Sequence, residues 1–311
     1  MSESAKVPTL GVVTVTYNSS SVLHDFLESV SMQTGVQVVL YAVDNASSDD
    51  SVSILSSATL SSGTIEVLAS KTNLGVAEGN NVGLRRALDD GVDWVILLNN
   101  DTSFVKDTFS TLIEVAVRNR VKILSPVIEA EDPTGSLWFG GGSIVEWQGY
   151  RVLHSGIGTV AADRETVGEV ERTGYAPTCA LLVDPRVFAV VGLMDASYFV
   201  YWDDVDFALR CQRAGYDYFI TSRARLLHKV SALTGGSDSW FSSRWDARNR
   251  ALGIRRFARN SRELWLGYWF TRLLLLIRGF RRRESWRLLW MRQRAFSEGW
   301  RLDPTDHSVP G

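Results

Sequence analysis

Val92 to Ser103, reading VDWVILLNNDTS, constrains this chain more than any other stretch. The run Trp94, Val95, Ile96, Leu97, Leu98 is short, continuous, β-branched and aromatic, the pattern of a strand buried on both faces. It stops abruptly at Asn99, Asn100 and Asp101. In an open α/β sheet, ligands sit just beyond the carboxyl ends of the strands. A carboxylate delivered there, with amide oxygens beside it, suits a hard divalent cation that also holds phosphates. An ordinary Asn/Asp turn uses the same residues, and this stretch alone does not separate the two.

The preceding chain repeats the pattern. Leu10 to Thr16 reads as a buried strand ending at Tyr17, Asn18 and a serine cluster. Ser21 is placed to cap a helix running to about Met32, with Val22, Leu23, Phe26, Leu27 and Val30 on one face. Val36 to Val43 is a second strand, closing on Asp44-Asn45, after which Asp49 or Asp50 caps a helix over Ser51 to Ser57. Ile65 to Ala69 is a third strand. Strand and helix alternating at this spacing predict βαβ units and a mainly parallel sheet. Three strand ends carrying Tyr17-Asn18, Asp44-Asn45 and Asn99 to Asp101 on one edge would make a cleft for a base, a ribose and a diphosphate.

Asn73 to Gly83, NLGVAEGNNVG, spaces its glycines by four. That is neither the G-x-G-x-x-G of dinucleotide folds, which disfavours a dehydrogenase, nor a Walker loop. Its glycines let a loop and helix start approach a ligand or the sheet closely. Asp107 to Asn119 reads as a helix, Lys122 to Ile128 as a strand, and the glycine- and aromatic-rich Trp138 to Gly158 as hairpins flanking the cleft. Thr178 to Val183 is a strand and Pro185 to Val191 a short helix. A second chemical centre follows, from Tyr198 to Arg210. Val205, Ala208, Leu209 and Gln212 repeat at helical spacing, so Asp203 and Asp204 stand at a helix N-terminus. Capping accounts for one such acid, and Asp206 with Arg210, four apart, suits a surface pair. Tyr218 to Thr221 and Ala224 to Leu227 read as strand pieces, the second delivering His228. Ser231 to Ser243 reads as a mobile loop.

The order VTYN, VDNASSD, NLGVAEGNNVG, LLNNDT and the Asp-Asp helix resembles family 2 glycosyltransferases, in particular their bacterial rhamnosyltransferase-like branch. The resemblance runs from about Leu10 to Leu252. It implies a GT-A-type α/β fold, a twisted, mostly parallel sheet flanked by helices, spanning 1–243. Residues 9–120 would form the nucleotide-binding half and 121–243 the acceptor half. It implies an inverting transfer of sugar from a nucleotide-diphosphate donor to the hydroxyl of a glycan or lipid-linked acceptor in cell-surface polysaccharide synthesis. On this resemblance Asp44 holds the base, and the donor site takes in Thr16, Tyr17, Asn18, Asn45, Asn73, Gly75, Asn81, Asn100 and Asp101. Asp101 and His228 hold Mg²⁺ or Mn²⁺ on the diphosphate, with Asn99 where the family often has Asp. Asp204 is the general base, which a helix N-terminus would keep ionised. Trp202, Asp203 and Arg210 fall to the acceptor side, and Ser231 to Ser243 is placed as a lid. The donor implied is dTDP-L-rhamnose, with UDP-galactofuranose or another UDP-hexose as the alternative. A non-catalytic nucleotide-sugar-binding module would be expected to lack Asp204 or Asp101, and both are present.

Composition matters most at the C-terminal end. The net charge of −2 hides sixteen Arg against four acids between Arg244 and Arg301, leaving about −14 for the rest. Leu264 to Ile277 is almost wholly apolar, yet at about 14 residues it falls short of the roughly 20 a membrane span needs. Trp286, Leu289, Trp290 and Phe296 are expected on one helical stripe with Arg287 and Arg294 beside it. Residues 244–311 therefore read as a basic amphipathic helical appendage. It suits an anionic membrane surface, a helical hairpin closing the core or a homo-oligomer interface, and nucleic acid is disfavoured. The polar Met1 to Pro8 carries no signal-like apolar run, and Cys179 and Cys211 have no disulfide or zinc spacing. Both point to a cytoplasmic protein, and the basic tail is what would make it peripheral on the inner face of the membrane.

Overall fold

The computed structural model describes residues 6–133, 135–160, 169–229 and 239–310. Its first half is β1 (Thr9–Thr16), α1 (Ser20–Ser31), β2 (Gln37–Asp44), α2 (Ser51–Ser57), β3 (Gly63–Ala69), α3 (Gly75–Asp89), β4 (Trp94–Leu98) and β5 (Thr102–Phe104). Then come α4 (Thr108–Asn119), β6 (Ile123–Ala130), β7 (Ser136–Phe139), the hairpin β8 (Gly142–Val145) and β9 (Arg151–His154), β10 (Glu171–Thr173), β11 (Ala180–Val183) and α5 (Pro185–Val191). The chain closes with α6 (Asp203–Arg213), β12 (Tyr218–His228), α7 (Trp240–Phe257), α8 (Ser261–Arg281) and α9 (Trp286–Arg301).

Among the described residues one sheet runs β10-β12-β6-β11-β4-β1-β2-β3, with β5 and β7 pairing onto β12 and β6. The expected βαβ half is parallel: β1 lies between β2 and β4, and β3 follows β2. The second half adds β11 antiparallel between β4 and β6, and β12 parallel to β6. Val95 to Leu98 are buried, as a strand clothed on both faces must be. In register, Thr16 sits opposite Asp44, and Asp44 opposite Ala69, so these parallel strands end level on one edge. Glycine lets α3 lie close on this sheet, because a Cβ at Gly83 would come within 2.6 Å of Val13 and one at Gly79 within 2.8 Å of Val15.

Several local expectations change. The two strand pieces around Ala224 are one strand, β12, whose register against β6 shifts between Thr221 and Arg225. Helix α1 begins at Ser20, one residue before the expected cap. Asp50 occupies the cap position of α2, but Asp49 makes the bonds, accepting from Ser51 N at 3.0 Å and reaching across to Ser20 N at 2.9 Å. Of the expected loop over Ser231 to Ser243, residues 231–238 lie outside the described residues. From Ser239 onward the chain is helical, with Ser239 Oγ accepting from Ser242 N at the start of α7. The boundary drawn between 243 and 244 thus falls inside a helix.

The tail helices pack onto this body. The single stripe expected on α9 is divided: Leu289 and Phe296 are buried, whereas Trp286 and Trp290 are exposed. Helical geometry explains it, since Leu289 and Phe296 lie about 60° and 80° to one side of Trp286, and Trp290 about 40° to the other. Gly299 permits the close approach of α9 to α7, as a Cβ there would meet Arg248 O at 1.9 Å. Buried Arg292 pairs with Glu284 and donates to Ser243 Oγ at 2.8 Å.

Candidate active site

The site forms where the level strand ends meet α6. At the end of β2, buried Asp44 accepts from Thr16 Oγ1 at 3.0 Å and from Ser47 N at 2.9 Å. Asn18, at φ 51°, accepts from Ser48 N at 2.8 Å and leaves Tyr17 exposed beside it. Asn45 donates to Gly75 O at 2.8 Å, tying the β2 end to the start of α3, and its buried Oδ1 has no hydrogen-bond partner. Asn73 Oδ1 accepts from Gly75 N at 2.9 Å. Gly75 itself is obligatory: at φ 78° a Cβ there would come 2.2 Å from Phe199 O, on the segment leading into α6.

Two expected donor residues are committed elsewhere. Asn81 spends its amide on the backbone of Met194 and on Glu78, bolting α3 to the α5–α6 connection. Asn100 donates to Val15 O at 2.7 Å, joining the ends of β4 and β1. Both tie together elements that frame the strand ends.

Asp101 follows directly and meets His228, brought alongside because β5 pairs antiparallel with the end of β12. His228 Nε2 lies 3.2 Å from Asp101 Oδ1, and both residues are buried. Asp101 Oδ1 nonetheless has no aligned hydrogen-bond donor, a costly state for a buried carboxylate oxygen unless a cation completes it. Two ligands cis on one Mg²⁺ or Mn²⁺ stand about 3 Å apart, so the pair fits such an ion. No third His, Cys, Asp or Glu joins them among the described residues; water and phosphate oxygens would supply the remainder. Burial lowers the His228 pKa, but Cys179 and Asp101 beside it outweigh that and push it up to about 11.

The acidic pair is aimed by strain. Tyr201 and Trp202 both lie at positive φ, 64° and 74°, an expensive pair of conformations for residues with a Cβ. Fully buried Asn249 of α7 holds them, donating to Val200 O and Tyr201 O, both at 2.9 Å. Arg248 adds a bond to Ser197 O at 3.0 Å, and Trp202 packs over Gly253. The chain then enters α6 with Asp203 buried and Asp204 partly exposed.

Asp204 Oδ1 accepts from Val205 N at 2.7 Å, and its Oδ2 takes a short hydrogen bond from Tyr175 OH. The helix terminus is therefore one of several influences on its charge. Burial raises the Asp204 pKa, and the Tyr175 hydroxyl, the Val205 amide and His154 offset that only in part. Asp203 is pushed well above the ordinary carboxylate range by burial and by the charge of Asp204, and its Oδ2 has no partner. Arg210, expected on the acceptor side, has its guanidinium engaged within the protein. It pairs at 2.6 Å with buried Asp206 and donates to Val191 O at 2.9 Å, a built-in ion pair rather than the surface pair that spacing alone implies.

Sequence reasoning missed Tyr175, Asn249, Arg248 and Gly253. Tyr175 lies in an unpatterned stretch between strands. The other three sit in the Arg-rich tail, where the charge pattern draws attention to the surface.

The sheet thus gathers Asp44, Asp101, His228 and the acidic start of α6 along one edge. Residues 11–157 match the model described as Glycosyl transferase family 2. The N-acetylglucosaminyl-diphospho-decaprenol L-rhamnosyltransferase of Mycobacterium tuberculosis is 30% identical over 247 residues, covering 73% of this chain and 78% of that protein. The fold is similar to that of GalNAc-T7 crystallised with UDP, GalNAc and Mn²⁺ (TM-score 0.61, 13% identity, 95% of this chain and 56% of that one). It is also similar to S. aureus TarS 1-349 in complex with UDP-GlcNAc (TM-score 0.60, 14% identity, 94% of this chain and 80% of that one). The chain belongs to glycosyltransferase family 2, with a GT-A fold.

Proposed function

We propose that this glycosyltransferase moves L-rhamnose, with inversion, from dTDP-L-rhamnose to a hydroxyl of a glycan or lipid-linked acceptor in cell-surface polysaccharide synthesis, working at the membrane surface. The observation that carries the reading is the Asp101–His228 pair, 3.2 Å apart beside the edge where Asp44 and the α6 start also stand. In this reading Asp44 receives the base through a carboxylate preset by Thr16 and Ser47. Asp101 and His228 would hold Mg²⁺ or Mn²⁺, whose charge supports the departing diphosphate. Asp204 takes the acceptor's hydroxyl proton while the acceptor oxygen attacks the anomeric carbon from the face opposite the departing diphosphate, contributing about 10²–10⁴-fold.

The sugar is supported by the mycobacterial relative's name, and nucleotide-diphosphate binding by the neighbours solved with UDP or UDP-GlcNAc. The deciding experiment combines a thermal-shift screen of nucleotide sugars with Mn²⁺ and donor hydrolysis by Asp204→Asn. A donor at 100 times its dissociation constant adds about 2.7 kcal/mol. The variant should bind the donor as well as the wild type and release less than a tenth of the nucleotide diphosphate. Stabilisation by UDP-galactofuranose or another UDP-hexose instead would replace the sugar. Binding with no turnover in either protein would make the chain a nucleotide-sugar-binding module.

A further inference from the structure

The two sides of α8 are built differently. Its buried positions, Gly267, Thr271, Leu275 and Gly279, recur every four residues and are mostly small. They bring the helix close to Gly149 and to Leu289 of α9. The opposite side is not polar, as a solvated helix face should be. Trp265, Leu266, Trp269, Leu273, Ile277 and Phe280 fall within an arc of about 120° at 100° per residue, and all six are exposed. Phe280 meets Trp286 edge-on at 5.6 Å, which joins this face to Trp286 and Trp290 on α9. These eight side chains are 41–74% exposed. Together they present on the order of 1,000 Å² of apolar surface, more than the roughly 300–600 Å² of an ordinary monomer's largest patch.

Charge narrows what could cover it. Between Ser261 and Arg301 there are ten Arg and three acids. All three acids are paired: Glu263 with Arg259, Glu284 with Arg292 and Glu298 with Arg244. Arg262, Arg281, Arg283, Arg287 and Arg294 are exposed around the apolar face, and Arg294 lies over the Trp290 ring at 5.4 Å. A second copy seated here would set these arginines against their own equivalents. An anionic lipid surface meets both features at once, phosphates at the rim and acyl chains at the centre, with Trp at the boundary. No helix among the described residues is long and apolar enough to cross a membrane, so the helices would lie in its plane.

We propose that the joint outer face of α8 and α9 is a docking surface for anionic lipid. It deepens the reading of a membrane-surface acceptor, whose usefulness it explains, though its physical basis is separate from the chemistry at Asp204. The full chain should float with vesicles of phosphatidylcholine containing about 30% phosphatidylglycerol, and poorly with phosphatidylcholine alone. Trp269→Glu/Leu273→Glu/Trp290→Glu should abolish flotation with its melting temperature retained, because all three side chains are exposed. Arg281→Gln/Arg283→Gln/Arg287→Gln should bind neutral vesicles as the wild type does and lose roughly five-fold per arginine on anionic ones. Donor hydrolysis without acceptor should be unchanged in both, and its failure in the wild type would count against the glycosyl-transfer reading alone. The proposal is overturned by a wild-type chain that stays unbound, by a Glu variant that floats equally well, or by a wild-type dimer that the Glu variant dissociates.

Discussion

The Tyr175 hydroxyl donates to Asp204 Oδ2, and Asp204 Oδ1 takes the Val205 amide, so both oxygens of the proposed base are held before any acceptor arrives. The arrangement lets one carboxylate be both largely desolvated and basic. Burial raises its pKa and so favours the protonated, idle form, while the two donors favour the charged form. Removing the Tyr175 hydroxyl should therefore raise the Asp204 pKa further. A base works only when ionised, so activity is lost as pH falls through that value. Tyr175→Phe should move the acid limb of kcat/KM to higher pH. At neutral pH it should cost on the order of ten-fold, the scale of one hydrogen bond to a charged group, with recovery under alkaline conditions. A uniform loss at every pH would assign Tyr175 to packing.

Asp203 leads to a prediction about stability. Its pKa rises on folding, through burial first and the charge of Asp204 second. A carboxyl of this kind binds more protons folded than unfolded, so stability falls as pH rises through its folded value. Asp203→Asn removes the charge and keeps the shape. The variant should melt higher than the wild type at neutral and alkaline pH, and the difference should vanish below about pH 4, where the unfolded carboxyl is also protonated. Thermal melts across that range check it.

Much of this molecule is legible in its sequence because its information is local. Val95 to Leu98 declare a doubly buried strand by composition, and the polar residues after Thr16, Val43 and Leu98 mark the edge where strands end. What is not legible depends on contacts between distant segments. Asn249 looks like any polar residue in a basic helix, yet it secures two carbonyls about fifty positions earlier, at the strained turn that aims Asp203 and Asp204. Asp206 and Arg210 have the spacing of a surface pair, and only the packing of α6 reveals that the pair is internal. On α9 the four large apolar residues look alike in sequence, and α7 and α8 decide which are covered.

Gly253 tests the strained turn. A Cβ there would come 2.1 Å from the Trp202 ring, one residue before the acidic pair. Because α7 is otherwise a good helix, alanine should help it locally, and any loss must come from the clash. Gly253→Ala should destabilise the fold by about 1–3 kcal/mol, the cost of overpacking. Displacement of Trp202 should also lower turnover while leaving nucleotide-diphosphate affinity unchanged, since Asp44 lies on a separate strand end. Calorimetry of nucleotide binding beside a turnover assay separates the two effects.

The Asp101–His228 pair makes the sharpest claim about metal. Asp101 stands in the turn before β5 and His228 ends β12, far away in sequence, and their facing atoms are 3.2 Å apart. If they share one ion, removing either ligand already loses most of what the ion contributes, and removing the second costs little more. Asp101→Ala and His228→Ala should each weaken Mn²⁺-dependent nucleotide-diphosphate binding by at least ten-fold. The double variant should fall short of the product of the single effects by 0.5–3 kcal/mol, about the range of coupled neighbours. Affinity measured in chelator supplies the control, and there the three variants should converge on the wild type, because the base pocket at Asp44 is untouched. Strict additivity with Mn²⁺ present would mean that the two residues act at different places, His228 then serving only to neutralise a buried carboxylate.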